Sequence, residues 1–269
     1  GSHNDVLLRA HLLSVARAEK LQPARGTAQY LDTTFEDLLS EAHLFAILPD
    51  TILFLQNPQD AANRKDTQTA IIQMNNSQGF AGLYVTDQTG SVLLASDPRW
   101  VGRNYVTANW FRNAMAGQTS MDEPRYDPFD AQIYLHLSTP VRDQQGVILG
   151  TVIGRITLSQ IDQMVKGDNN YSGRGDFGVL WDDLGIRLSH STPPDLRFIP
   201  IMPLAPDIAK ALIAEARFGP ATQDLLSKAS NLPDVIERSK QLLYDRASDP
   251  FINIDTISAG PSQSAFVPL

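Results

Sequence analysis

Tyr84-Val-Thr-Asp87-Gln-Thr-Gly90-Ser-Val-Leu-Leu-Ala-Ser96 is echoed 95 positions later by Val179-Leu-Trp-Asp182-Asp-Leu-Gly185-Ile-Arg-Leu-Ser-His-Ser191. Each copy reads as an apolar strand, an Asp-x-x-Gly turn and a second strand that ends in serine. The Asp side chain can cap the turn, and the Gly takes the positive φ that the reversal needs. A third such turn, Asp143-Gln-Gln-Gly146, separates the apolar runs 133–141 and 147–156. Two similar hairpins this far apart predict two related α+β modules rather than one enzyme domain. That layout suits a sensor better than a catalyst.

Composition narrows the field. A chain of 269 residues has room for two domains of ordinary size. A net charge of −8 leaves no basic stripe to neutralise phosphates, which argues against nucleic acid as a partner. The absence of cysteine excludes disulfides, thiolate metal sites and cysteine nucleophiles. Gly1-Ser2-His3 reads as the remnant of a cleaved affinity tag. No stretch approaches the ~20 apolar residues of a membrane helix; the best candidate, 43–55, is broken by Pro49 and Asp50.

Along the chain, residues 4–22 carry apolar positions close to a helical stripe, interrupted by Pro23 and Gly26. A second helical stretch runs over about 28–48, with Thr33-Thr-Phe-Glu36 as a capping box inside it and Pro49 as its stop. A third covers 60–76. From Phe80 onward the texture becomes strands and turns: 82–86 and 92–96, a short helix at 110–115, long strands at 132–140 and 150–157, and a connecting helix at 158–165. Residues 173–178 read as a joint between modules. Beyond Ser191, helices are expected at 206–216 and 233–244 and a strand from 265. The second sheet then stops one or two strands short of its natural end.

The stretch 82–158 resembles the double Cache, or PDC, family of bacterial extracytoplasmic sensors. The resemblance rests on linked pieces: the hairpin with Asp87 and Gly90, Ser96-Asp-Pro98, Gly102-Arg-Asn-Tyr105 and Trp110-Phe-Arg-Asn-Ala114-Met-Ala-Gly117. It continues through Ser138-Thr-Pro-Val-Arg-Asp143-x-x-Gly146 and Gly150-Thr-Val-Ile-Gly154. It implies an α+β fold with a long N-terminal helical stalk (4–78), then two PAS-like Cache modules with antiparallel sheets. The membrane-distal module would span 79–166 and the membrane-proximal one 167–269. It further implies a ligand-binding sensor of a transmembrane receptor (chemoreceptor, histidine kinase or nucleotide cyclase), extracytoplasmic and anchored by segments outside this sequence. Homodimers through the N-terminal helices would be expected.

Departures from the family pattern carry the ligand reading. Family members that bind amino acids place an Arg two residues before the Trp-aromatic pair; Ala108 stands there. They place an Asp on the last strand; Arg155 stands there. A ligand α-ammonium beside a buried Arg would be repelled and unpaired. A small carboxylate or other anion fits the guanidinium fork better. The candidate pocket is Tyr105, Trp110, Phe111, Arg125, Tyr126, Asp127, Tyr134, His136, Ser138 and Arg155.

Each candidate has an ordinary structural reading as well. Adjacent Trp110 and Phe111 cannot share one direction, so one of them belongs to the core. Tyr134, His136 and Ser138 share a strand face, which is either pocket lining or ordinary interior. Arg155 interrupts an apolar strand as a ligand contact, an internal ion pair or a solvated edge, and Arg125 sits in a turn-rich surface loop.

Other patterns do not hold up. Gly173-Arg-Gly-Asp-Phe-Gly178 matches a dinucleotide loop, a kinase magnesium motif and an adhesion tripeptide, but it lacks the strand before and helix after that the first requires. The five histidines show no metal-ligand spacing, and Ser189-His190-Ser191 alternates across a strand rather than forming a nucleophile and base. No cofactor, metal or catalytic role is expected. Two alternatives remain open: a ligand-free dimerisation or protein-interaction scaffold, and a sensor of a neutral or amine ligand anchored by Asp127.

Overall fold

The computed structural model describes residues 10–15, 21–166, 177–190, 196–244, 251–256 and 260–268. In chain order the elements are β1 (Ala10–Val15), α1 (Leu21–Ala46), α2 (Pro49–Gln56), α3 (Ala61–Gln78), β2 (Gly82–Asp87) and β3 (Val92–Ala95). Then come α4 (Asn109–Met115), β4 (Ser120–Met121), β5 (Arg125–Asp127), β6 (Gln132–Arg142), β7 (Ile148–Thr157) and α5 (Leu158–Lys166). The remainder is β8 (Phe177–Asp182), β9 (Arg187–His190), α6 (Pro206–Ala214), α7 (Thr222–Ser227), α8 (Pro233–Tyr244), β10 (Phe251–Thr256) and β11 (Gly260–Pro268). The fold is α+β, with an N-terminal helix and antiparallel sheets.

Two compact units divide the chain, and they interleave in sequence. Among the described residues the first takes 34–123 and 134–157, and the second takes those within 10–33, 124–133 and 158–268. The first contains strands in the order β3-β2-β7-β6-β4, the second β10-β11-β1-β8-β9.

All three Asp-x-x-Gly turns fold alike. The Asp87 carboxylate accepts from the amides of Thr89 at 2.8 Å and Ser91 at 3.1 Å. Asp143 accepts from Gln145 and Val147, at 2.9 and 2.8 Å. Asp182 accepts from Leu184 and Ile186, both at 2.9 Å. Gly90, Gly146 and Gly185 take φ of 82°, 82° and 78°. Each hairpin also carries a one-residue register shift at the same place, after Val85, Val141 and Leu180. The likeness extends past the turn. Tyr105 returns its amide to the Gly90 carbonyl at 2.9 Å, as Ile201 does to Gly185 at 2.8 Å.

Two helices show their end signals plainly. Asp60 caps α3 by accepting from the Asn63 amide at 2.9 Å, and Gly79, at φ 76°, closes it. Pro49 begins α2 rather than merely ending its predecessor. In the first unit α2 packs against β7, and α3 against β2 and β3.

Several expectations are corrected here. Residues 10–15 form a strand, β1, hydrogen-bonded on one side to β8 and on the other to β11. A short apolar run cannot be assigned by periodicity alone; here two partner strands decide it. Pro23 and Gly26 do not interrupt α1. Pro23 lies in its first turn, where no amide partner is needed, and the helix starts before it. Thr33–Glu36 therefore lies within the helix and caps nothing. The second sheet holds a β10–β11 hairpin beyond the single strand expected near position 265. The proposed joint at 173–178 falls largely outside the described residues. No single described helix is long and apolar enough to cross a membrane.

Candidate functional site

Arg155 sits on β7 between two strands, in register with Gly82 of β2 and His136 of β6. Gly82 makes its position workable. A Cβ at residue 82 would lie 2.7 Å from Nη2 and 2.8 Å from Nε of Arg155. The missing side chain leaves the channel along which the guanidinium extends. The guanidinium carbon then lies 3.6 Å from the Trp100 ring centroid, 4.4 Å from that of Tyr134 and 5.6 Å from that of Tyr84.

More rings extend this cluster. Trp110 stacks on His136 with centroids 5.0 Å apart, and Tyr105 meets Trp110 at 5.1 Å. Tyr84 lies parallel to Trp100, and Trp100 meets Tyr134 edge-on. Phe111 and Ile153 complete the same buried cluster. A buried aromatic side chain removes about 150–250 Å² from water, or roughly 4–6 kcal/mol of transfer free energy. The site is thus part of the core that holds the first unit together.

The electrostatics are unbalanced. Arg155 is 3% exposed, and its Nε and Nη1 are buried without hydrogen-bond acceptors. The solvated-edge reading is excluded, and no carboxylate lies within ion-pair distance among the described residues. Asp97 has a carboxyl held below the usual range, chiefly by its hydrogen bond to Arg99, with the Arg155 charge adding the least. Both Asp97 oxygens are taken up by Arg99. Cation–π contacts offset part of the desolvation of a guanidinium, at roughly 2 kcal/mol or more when buried, but they supply no in-plane acceptors.

The sequence-derived site residues fall into two groups. Tyr105, Trp110, Phe111, Tyr134, His136, Ser138 and Arg155 belong to the first unit. Trp110 and Phe111 are both buried in the same cluster. Ser138, paired in register with Ser120 of β4, has its Oγ 3.3 Å from that of Ser120. Arg125, Tyr126 and Asp127 belong to the second unit. There Arg125 pairs with Glu215 at 2.8 Å, Tyr126 packs over Gly219, and Asp127 accepts from the Phe129 amide at 2.9 Å.

Sequence reasoning missed Gly82, Tyr84 and Trp100. Tyr84 opens the first repeat, and strand alternation puts Gly82 on its face, so both carried a signal. Trp100 did not; it comes after a turn and reaches the guanidinium only through tertiary packing.

The second unit has its own buried polar cluster. Arg187 is braced by the carbonyls of Ile199 and Pro200 at 2.8 and 3.2 Å and by Ser230 at 3.1 Å. Burial pushes its pKa down to about 10, so it stays charged at neutral pH. His190 is pushed down to about 4, by burial first and then by the Arg187 charge. Ser189 hydrogen-bonds Asp162 at 2.5 Å, and Arg197 pairs with the same carboxylate. No cluster of three metal-ligating side chains occurs among the described residues.

The chain matches the Cache domain family over residues 12–243. No curated protein matches it. Among solved structures it resembles the sensor domain of the Vibrio cholerae histidine kinase DctB, at 20% identity and a TM-score of 0.64, over 80% of this chain and 79% of that one. It resembles the sensory domain of the Campylobacter jejuni chemoreceptor Tlp3, at 12% identity and a TM-score of 0.58, over 93% and 92%. It also resembles the ligand-binding domain of the Pseudomonas fluorescens chemoreceptor CtaA, solved in complex with L-alanine, at 17% identity and a TM-score of 0.52, over 91% and 93%.

Proposed function

The chain belongs to the Cache domain family, and from that membership we propose that it is the extracytoplasmic sensing part of a bacterial transmembrane signalling receptor, binding a small carboxylate or other anion through Arg155. The unit that holds Arg155 is the membrane-distal one, the other is membrane-proximal, and membrane segments lie outside this sequence. Two copies pair through α1, which carries the exposed Tyr30 and Leu44. Catalysis has no part in this reading.

The observation that carries it is the buried guanidinium with two acceptor-less nitrogens. A buried unsatisfied donor costs about 1–3 kcal/mol. A carboxylate supplies an in-plane acceptor for these donors together with the missing charge. Tyr134 and Tyr105 add hydroxyls at the same cluster, and Trp110 with Phe111 supplies an apolar wall. A ligand signals only through its preference for one of two states. Here β7, which carries Arg155, also packs against α2, so a change at the site reaches the helical layer of its own unit.

The test is a thermal-shift panel of monocarboxylates, dicarboxylates, amino acids and amines on the protein and on Arg155→Ala. Ligand at 100-fold its dissociation constant adds about 2.7 kcal/mol. Stabilisation by carboxylates that is lost in the variant supports the reading. Stabilisation by amines that survives in the variant would favour an amine sensor with Asp127 as its anchor. No response to any compound would favour the scaffold.

A further inference from the structure

We propose that the Arg155 site selects a single carboxylate carried on an apolar body, over dicarboxylates and over α-amino acids. This rests on the anion reading above and narrows its ligand class.

The first ground is a charge count. Within 34–123 and 134–157, Arg155 is the one charged side chain among the buried residues; the other buried polar groups are serines, threonines and His136. One cation matches one carboxylate. The second carboxylate of a diacid, or the ammonium of an amino acid, would find no further buried charge to meet it, and the Asp97 carboxylate is already engaged by Arg99. An unpaired charge in such surroundings is costly.

The second ground is the wall. Trp100, Tyr134 and Tyr84 lie around the guanidinium, and Tyr105 and Trp110 pack on Tyr84 in the same cluster. Partly buried apolar residues packed against this cluster are Ala81, Tyr105, Ala108 and Met115. Such a lining favours apolar and aromatic surface, and aromatic pairs add to area burial.

Two matched pairs of probes separate these effects in isothermal titration. 3-Phenylpropionate differs from L-phenylalanine by the ammonium, and butyrate differs from succinate by the second carboxylate. We expect the monocarboxylate of each pair to bind at least about tenfold more tightly, a difference of about 1.4 kcal/mol. We also expect 3-phenylpropionate to exceed butyrate, and Arg155→Ala to abolish the binding of both.

If succinate or L-phenylalanine binds as tightly as its partner and still depends on Arg155, this inference is overturned while the anion reading stands. If no carboxylate binds, or if binding is unchanged in Arg155→Ala, both fall together. Arg155→Lys guards against misfolding as the explanation. It keeps the charge without the planar fork, so it should retain weakened binding with the same order of preference.

Discussion

The guanidinium carbon of Arg155 lies 3.6 Å from the ring centroid of Trp100, so the one buried cation of the first unit rests on an indole face rather than against a carboxylate. This pairing leaves the guanidinium edge without acceptors, so a change to the arginine or to its surroundings acts on stability and on ligand affinity separately.

Replacing Arg155 by Met keeps an apolar stem and removes the charge. Apolar replacement of a buried charged group is often neutral or stabilising. The ligand-free variant should therefore unfold within about 1 kcal/mol of the parent, or above it, while losing all response to carboxylates. Urea unfolding measures the first and titration the second. A loss of more than about 3 kcal/mol would mean that the cation–π contacts outweigh the unpaired charge.

Gly82→Ala places a methyl 2.7 Å from Nη2 of Arg155. Arg155 is long and can shift, so the expected stability cost is moderate, about 1–2 kcal/mol. The larger effect should fall on ligand affinity, because the guanidinium leaves Trp100. Unchanged affinity in this variant would show that the observed guanidinium position is not the binding one.

Gly90 and Gly146 share a φ of 82° but differ in their surroundings. A Cβ at Gly146 meets nothing within 4 Å, whereas at Gly90 it would lie 2.6 Å from the Val106 amide nitrogen. Gly146→Ala should cost about 1–2 kcal/mol from the left-handed backbone alone. Gly90→Ala should cost at least about 2 kcal/mol more, since backbone must move. Equal costs in denaturant unfolding would refute the importance of the Tyr105–Val106 return over the turn.

His190 links stability to pH. Its pKa in the folded protein, about 4, lies below the ordinary 6.5, so between these values the unfolded chain binds more protons than the native one. Stability should therefore be fully present above about pH 6.5 and fall as the pH drops toward 4, by on the order of 3 kcal/mol in total. A His190→Asn variant should show a shallower decline over the same window in urea unfolding. An identical slope would mean that other groups carry the acid sensitivity.

The three Asp-x-x-Gly turns were legible in the sequence because everything that makes them is local. A carboxylate reaches amides two and four residues on, and one glycine supplies the positive φ. The paired strands around those turns and α4, α5, α6 and α8 were readable for the same reason, whereas α7 was not expected. β1 was not, because its conformation depends on two partner strands remote in sequence. Pro23 misled because a proline in a first turn resembles one that breaks a helix, and only the register of α1 separates the two. At the site, Arg155 stood out as a charge within an apolar strand, and Tyr134 and His136 came from alternation. The placement of Arg125, Tyr126 and Asp127 in the second unit could not be read from spacing. Their partners there include Glu215, Arg217 and Gly219, some ninety residues downstream. The sequence alone determined that two α+β modules with capped hairpins would form and that Arg155 would interrupt an apolar strand, since hydrogen bonds between near neighbours and strand periodicity suffice for both. Only the tertiary structure decided that this arginine lies over Gly82 against Trp100 with no carboxylate in ion-pair distance among the described residues, because cross-strand register and the packing of distant segments choose which groups meet.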